Sequence, residues 1–121
     1  MSGNNLVLFG IKNCDTVKKA RKHLEQQSRP YQFHDFREQG LDLETVERWL
    51  TQVEFKVLLN TRSTSWRQLD DSDKQDVDQA KAIELMLANP TLVKRPVIEL
   101  GTAVTVGFKP ADFEQWVAQH D

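Results

Sequence analysis

These 121 residues contain one cysteine, Cys14, and three histidines, His23, His34 and His120. A single thiol excludes an internal disulfide framework and any cysteine-based zinc cluster. The histidines are scattered over different segments, which argues against a metal site. No apolar run approaches the ~18 residues of a membrane span, and no cationic leader precedes an apolar segment, so a cytoplasmic protein without membrane contact is expected. Repeats and low-complexity tracts are lacking too, and Gly101 and Gly107 form no phosphate-binding fingerprint. Basic excess is missing overall: the formal charge is −2 and the isoelectric point about 5.9, which disfavours nucleic acid as a partner. The aromatic residues Phe33, Phe36, Trp49, Phe55, Trp66, Phe113 and Trp116 sit mostly at core spacing and form no interleaved basic and aromatic surface.

What is present is local. Cys14 stands where the apolar strand Leu6-Val7-Leu8-Phe9 turns through Gly10-Ile11-Lys12-Asn13 into a lysine-rich amphipathic helix. Unpaired N–H groups and the positive end of the macrodipole favour an anion there, and Lys12 adds to the same field. A second reading stands beside the first. Cys14, Val17, Ala20 and Leu24 are spaced by three, three and four, so the cysteine equally suits the start of a buried helical stripe. Residues 12–29 carry six basic residues (Lys12, Lys18, Lys19, Arg21, Lys22, Arg29) against Asp15 and Glu25, and residues 70–84 carry six acids against Lys74 and Lys81. The acidic run reads as a solvated helix face. The basic run fits that reading and an anionic substrate alike.

The patterning predicts strand, helix, strand over Leu6–Phe9, about 15–27 and 31–36, with the strands parallel and the crossover right-handed. Asp42 then caps a helix with the apolar face Leu43, Val46, Leu50 and Val53. A further helical stretch covers about 55–60 and is followed by the polar loop 61–65. Ser72 and Gln75 have capping-box spacing at the head of a helix ending near Ala88, where Asn89-Pro90 stops it. Pro96–Leu100 and Ala103–Val106, joined by Gly101-Thr102, predict a β-hairpin with a type II′ turn. Pro110 opens a last helix bearing Phe113, Trp116 and Val117. The order is βαβ, a helical block, then ββα, which is the order of an α/β thioredoxin-like fold.

The segment from Gly10 to Arg21, GIKNCDTVKKAR, closely resembles the opening of YffB-type members of the arsenate reductase and Spx family. The resemblance continues through Leu58–Leu69 (LLNTRSTSWRQL), Lys94–Ile98 (KRPVI) and Val106–Pro110 (VGFKP), and covers nearly the whole chain. It implies one domain with a four-stranded mixed sheet, a thioredoxin-like core over 5–38 and 92–121, and a helical insertion at about 41–90. In the arsenate reductases a cysteine attacks the oxyanion, arginines bind it, and glutathione with glutaredoxin completes reduction. Cys14 matches that nucleophile. Arg95 matches the arginine before the third strand, and Arg95-Pro96 looks like the fold's cis-proline.

Arg62 resembles the arginine supplied by the insertion in the YffB and Spx branches, although alignment with arsenate reductase puts Asn60 at its arginine. Lys109 replaces a third arginine and lacks the bidentate fork suited to an oxyanion. Gly10 stands where arsenate reductases carry histidine, and Val17 stands where many Spx proteins carry the second cysteine of CxxC. Any disulfide of Cys14 must therefore form with another molecule.

These residues lead us to expect a glutathione-dependent monothiol reductase. Cys14, Arg95 and Arg62 are its catalytic residues, and Lys12, Asn13, Thr16, Pro96 and Lys109 hold a small oxyanion or a mixed disulfide. No tightly bound cofactor or metal is expected; glutathione is the co-substrate and glutaredoxin a candidate partner. The alternatives are a glutaredoxin-coupled arsenate reductase and a non-enzymatic, Spx-like transcriptional regulator that binds RNA polymerase.

Overall fold

A computed structural model describes residues 5–120. The chain divides into two compact units, one running up to Gln39 and resuming at Arg95, the other Gly40–Lys94. In the first unit, β1 (Leu6–Gly10), α1 (Asp15–Gln26), β2 (Gln32–Asp35), β3 (Val97–Leu100) and β4 (Ala103–Val106) build a four-stranded sheet of order β2-β1-β3-β4. β1 pairs with β2 in parallel and with β3 antiparallel, and β3 pairs with β4 antiparallel. This mixed sheet and its βαβ, ββα order are the thioredoxin-like fold expected from the sequence.

The short helix α2 (Phe36–Gln39) follows β2 without a loop. The alternating pattern carried the expected strand on through Phe36, but the strand ends at Asp35 because its carboxylate accepts from Arg37 N at 2.8 Å and starts a helical turn. Phe36 is buried instead as the first residue of that turn.

Helix α1 buries Val17, Ala20 and Leu24 completely, and these pack with Leu6, Leu8, Ile98, Leu100 and Phe113 in one core. Its lysines stay outside. At its end Ser28 takes a left-handed conformation (φ 55°), so that Ser28 N reaches Glu25 O and Arg29 N reaches Leu24 O at 2.9 Å, a Schellman closure. Arg21 then ties the helix to the strand that follows. Its guanidinium lies 4.1 Å over the Phe33 ring and its Nε donates to the Tyr31 hydroxyl, which donates to Glu25 at 2.7 Å.

After β4 comes the last helix of this unit, Pro110–His120, with proline at its first position and Phe113 buried. Glu114 on this helix meets His23 of α1 at 2.8 Å, beside the rings of Phe108 and Phe113. In the β3–β4 hairpin, Gly101 has φ 61° and no such value occurs at Thr102, the pattern of a type II′ turn. The Arg95-Pro96 bond is cis.

The second unit is helical, with α3 (Leu43–Leu50), α4 (Phe55–Leu58), α5 (Thr64–Arg67) and α6 (Gln79–Ala88), so the last helix of the chain is α7. Asp42 caps α3 by accepting from Thr45 N. The buried face of α3 is Val46 and Trp49, whereas Leu43, expected on that face, is 47% exposed. In its first turn Leu43 lies at the margin of the stripe, and the larger Trp49 fills the interior. The expected capping box at Ser72 and Gln75 does not form: residues 71–74 make a 3-10 turn, Asp76 takes φ 52°, and α6 starts at Gln79 with Asp78 accepting from Lys81 N. A residue with positive φ cannot continue a right-handed helix, so the start moves beyond it. α6 ends at Ala88 before Asn89-Pro90, as the sequence predicts.

One close approach governs how β1 meets α1. A Cβ placed on Gly10 would lie 2.6 Å from Cγ2 of Val17, which is fully buried and stiff at χ1. Gly10→Ala is expected to lower the unfolding free energy by about 1–3 kcal/mol. In urea unfolding, Val17→Ala should make the added methyl cheaper, so the double variant loses less than the sum of the single losses. Strict additivity would contradict the contact.

Burial pushes the Tyr31 hydroxyl above its ordinary value; the Arg21 hydrogen bond opposes this and the Glu25 bond adds to it. A group raised by folding stabilises the native state below its unfolded pKa, and that contribution is lost as pH rises through the native value. The window therefore lies above about pH 10. Tyr31→Phe should make the fall in stability between about pH 9 and about pH 11 shallower, as read by urea midpoints at each pH.

Candidate active site

Cys14 is the N-cap of α1, with extended backbone (φ −143°, ψ 123°), and its carbonyl accepts from Lys18 N at 2.9 Å. Its side chain makes no capping hydrogen bond. The first-turn N–H groups, which have no intrahelical acceptor, are thus left uncapped by Cys14. Cys14 is half-buried and packs against the core, unlike the fully buried Val17, Ala20 and Leu24 that follow it. The helical stripe begins at Val17. Cys14 lies at its edge and is not sealed in the core.

The strand register collects the other candidates of this unit at the same end of the sheet. Phe9 opposes Val97, so extending the β1–β3 register by one residue sets Pro96 beside Gly10, at the end of β1 that leads to Cys14. Pro96 is buried and its carbonyl accepts from Gly107 N at 2.8 Å. Gly107 in turn leads through half-buried Phe108, which packs on the same core as Cys14, to exposed Lys109. The Lys109 carbonyl accepts from Phe113 N and so starts α7. Arg95, one residue before Pro96, is half-buried. Lys12 and Asn13 are exposed and Thr16 is half-buried. Cys14, Lys12, Asn13, Thr16, Arg95, Pro96 and Lys109 therefore lie at one end of the sheet.

Arg62 belongs to the second unit. Asn60 builds the turn that presents it: the Asn60 side chain accepts from Arg62 N at 3.0 Å and its carbonyl accepts from the Ser63 hydroxyl, while Ser63 caps α5 by accepting from Trp66 N. This gives Asn60 a structural task, and Arg62 is the exposed cation of the loop.

Two acids that sequence reasoning did not single out stand at the same sheet end as Cys14. Gly10 pairs with Asp35 in the β1–β2 register, and Asp35 is buried. Glu38, three residues on in α2, accepts from Lys12 Nζ at 2.9 Å. That hydrogen bond, followed by the charge of Glu38, raises the Lys12 pKa above the usual lysine value. The signal in the sequence was Asp35 followed by Arg37, Glu38 and Gln39, an N-cap residue before good helix formers.

The two departures at positions 10 and 17 are joined by packing. With Val17 filling the space beside Gly10, a side chain at position 10 would require Val17 to shift.

Comparison with known proteins gives a consistent picture. The ArsC family model matches residues 9–116. A YffB protein of solved structure is 48% identical, the match covering 92% of this chain and 97% of that one, with a TM-score of 0.89. An arsenate reductase (ArsC) related protein from Brucella melitensis is 46% identical, with 97% and 98% covered and a TM-score of 0.76. The global transcriptional regulator Spx of Listeria innocua is 26% identical over 114 residues, which is 93% of this chain and 86% of that relative.

A half-buried cysteine that is not sealed in the core is expected to react without unfolding. Native protein treated with iodoacetamide should gain one carbamidomethyl group by intact mass, and Cys14→Ser should gain none. Modification that occurs only in denaturant would return Cys14 to the core.

Proposed function

Because this chain belongs to the ArsC family, we propose that it is a glutathione-dependent monothiol reductase whose nucleophile is Cys14. The observation that carries this reading is the position of the only cysteine, half-buried at the N-cap of a helix that its side chain does not cap, at the sheet end that also holds Lys12, Arg95-Pro96 and Lys109. As a thiolate, Cys14 attacks the glutathionyl sulfur of a mixed disulfide. A Cys14–glutathione disulfide forms, the original S–S bond breaks, and the target leaves as a thiolate. A second glutathione attacks the adduct, restores Cys14 and leaves as oxidised glutathione. Val17 occupies the position of a resolving cysteine, so the second thiol comes from outside. The open N–H groups of the first turn, with Arg95, hold negative charge during the exchange; the family resemblance adds Arg62 as a candidate cation, which Arg62→Ala tests.

Arsenate reduction is the second reading, favoured by the likeness to the Brucella protein. Three features weigh against it: Gly10 in place of histidine, Lys109 in place of an arginine fork, and the Glu38 carboxylate on Lys12. Likeness to Spx supports a third reading, docking on RNA polymerase, in which no intramolecular disulfide switch is available.

A coupled assay separates these. With glutathione, glutaredoxin, glutathione reductase and NADPH present, a glutathionylated protein should drive NADPH loss that vanishes in Cys14→Ser. Arg95→Ala and Arg62→Ala should each lower kcat/KM by about 10²-fold. Arsenate-dependent turnover without turnover of the glutathione adduct would reverse the ranking. Recovery of a polymerase subunit with the purified protein, with no thiol turnover of either kind, would favour docking.

A further inference from the structure

Resting on the reductase reading, we infer that Glu38 is a specificity-determining residue which, by holding Lys12 in an ion pair beside Cys14, sets how well the thiolate accepts negatively charged disulfides. Lys12 is two residues from Cys14, so their Cα atoms are at most about 7 Å apart. The carboxylate that binds Lys12 comes from a distant part of this unit, 26 residues on. It is held firmly there. β2 passes into α2 with no loop, Phe36 is buried, Asp35 accepts from Arg37 N, and Gln39 accepts from Asp35 N at 3.2 Å. The turn carrying Glu38 is thus anchored at both ends, while the pair itself lies in solvent, each side chain 63% exposed.

An exposed ion pair is weak and exchanges partners readily. A carboxylate on an incoming disulfide therefore competes with Glu38 for the same ammonium group. With Glu38 in place, Lys12 presents little net positive charge to an arriving anion, and buried Asp35 adds a second negative charge nearby. With Glu38 neutralised, Lys12 is released to the substrate. The thiol–disulfide step is unchanged: Cys14 sulfur bonds to one disulfide sulfur, the S–S bond breaks, and the other half leaves as a thiolate. Only the encounter of charges alters.

The test is the rate of Cys14 with two disulfides that differ in charge, the dianionic dithiobis-nitrobenzoate and the neutral dithiodipyridine, each releasing one coloured thiol. Glu38→Gln keeps size and hydrogen-bonding capacity at an exposed position. It should speed reaction with the dianion about 3- to 10-fold at low salt, leave the neutral probe unchanged, and lose its advantage at about 1 M salt. In a Lys12→Gln background the gain should shrink. Equal acceleration of both probes, an unchanged ratio, or a gain undiminished without Lys12 overturns the proposal while leaving a reactive Cys14. Failure of Cys14 to react with either probe overturns it together with the reductase reading.

Discussion

The contact between Gly10 and Val17 is the constraint from which the rest of the first unit follows. Only four residues separate the end of β1 from the start of α1, and that turn is eased because the strand end has no side chain where Val17 packs. The approach seats Val17 in the core, where Ala20 and Leu24 continue the stripe. It also leaves the thiol one step outside. Cys14 is at the edge of the core because Val17 fills the interior position.

The same packing limits the chemistry. Val17 stands where a second thiol would, and it crowds any side chain at position 10, so the charged groups near Cys14 come largely from other segments. The sheet order supplies them. β3 runs antiparallel to β1, which returns Arg95-Pro96 to the end where Cys14 stands, and the β3–β4 hairpin brings Lys109 back to the same end. The parallel strand β2 finishes there too, and its acids Asp35 and Glu38 arrive with it. This end of the sheet is therefore mixed in charge, with Lys12, Arg95 and Lys109 set among Asp35 and Glu38.

Much of this was legible in the chain. The spacing of Val17, Ala20 and Leu24, the caps at Asp42 and Pro110, and the hairpin around Gly101 all act over a few residues, where local physics decides. The misreadings arose where a distant partner or one backbone angle overruled the local pattern. Ser72 and Gln75 had capping-box spacing, but the left-handed Asp76 made Asp78 the cap. Leu43 had the apolar spacing, but Trp49 took the interior. Phe36 continued an alternating pattern, but the Asp35 carboxylate turned the chain.

By itself, the sequence determined the single thiol, its place before a basic helix, and the mixed strand and helix order, because composition and periodicity are properties of neighbours along the chain. Tertiary structure alone decided that Cys14 is half-buried rather than sealed in the core, that Gly10 lies close against Val17, and that Lys12 is paired with Glu38. Each of these depends on groups from separate segments meeting in space, and the distances that set steric exclusion and charge pairing exist only once the sheet has formed.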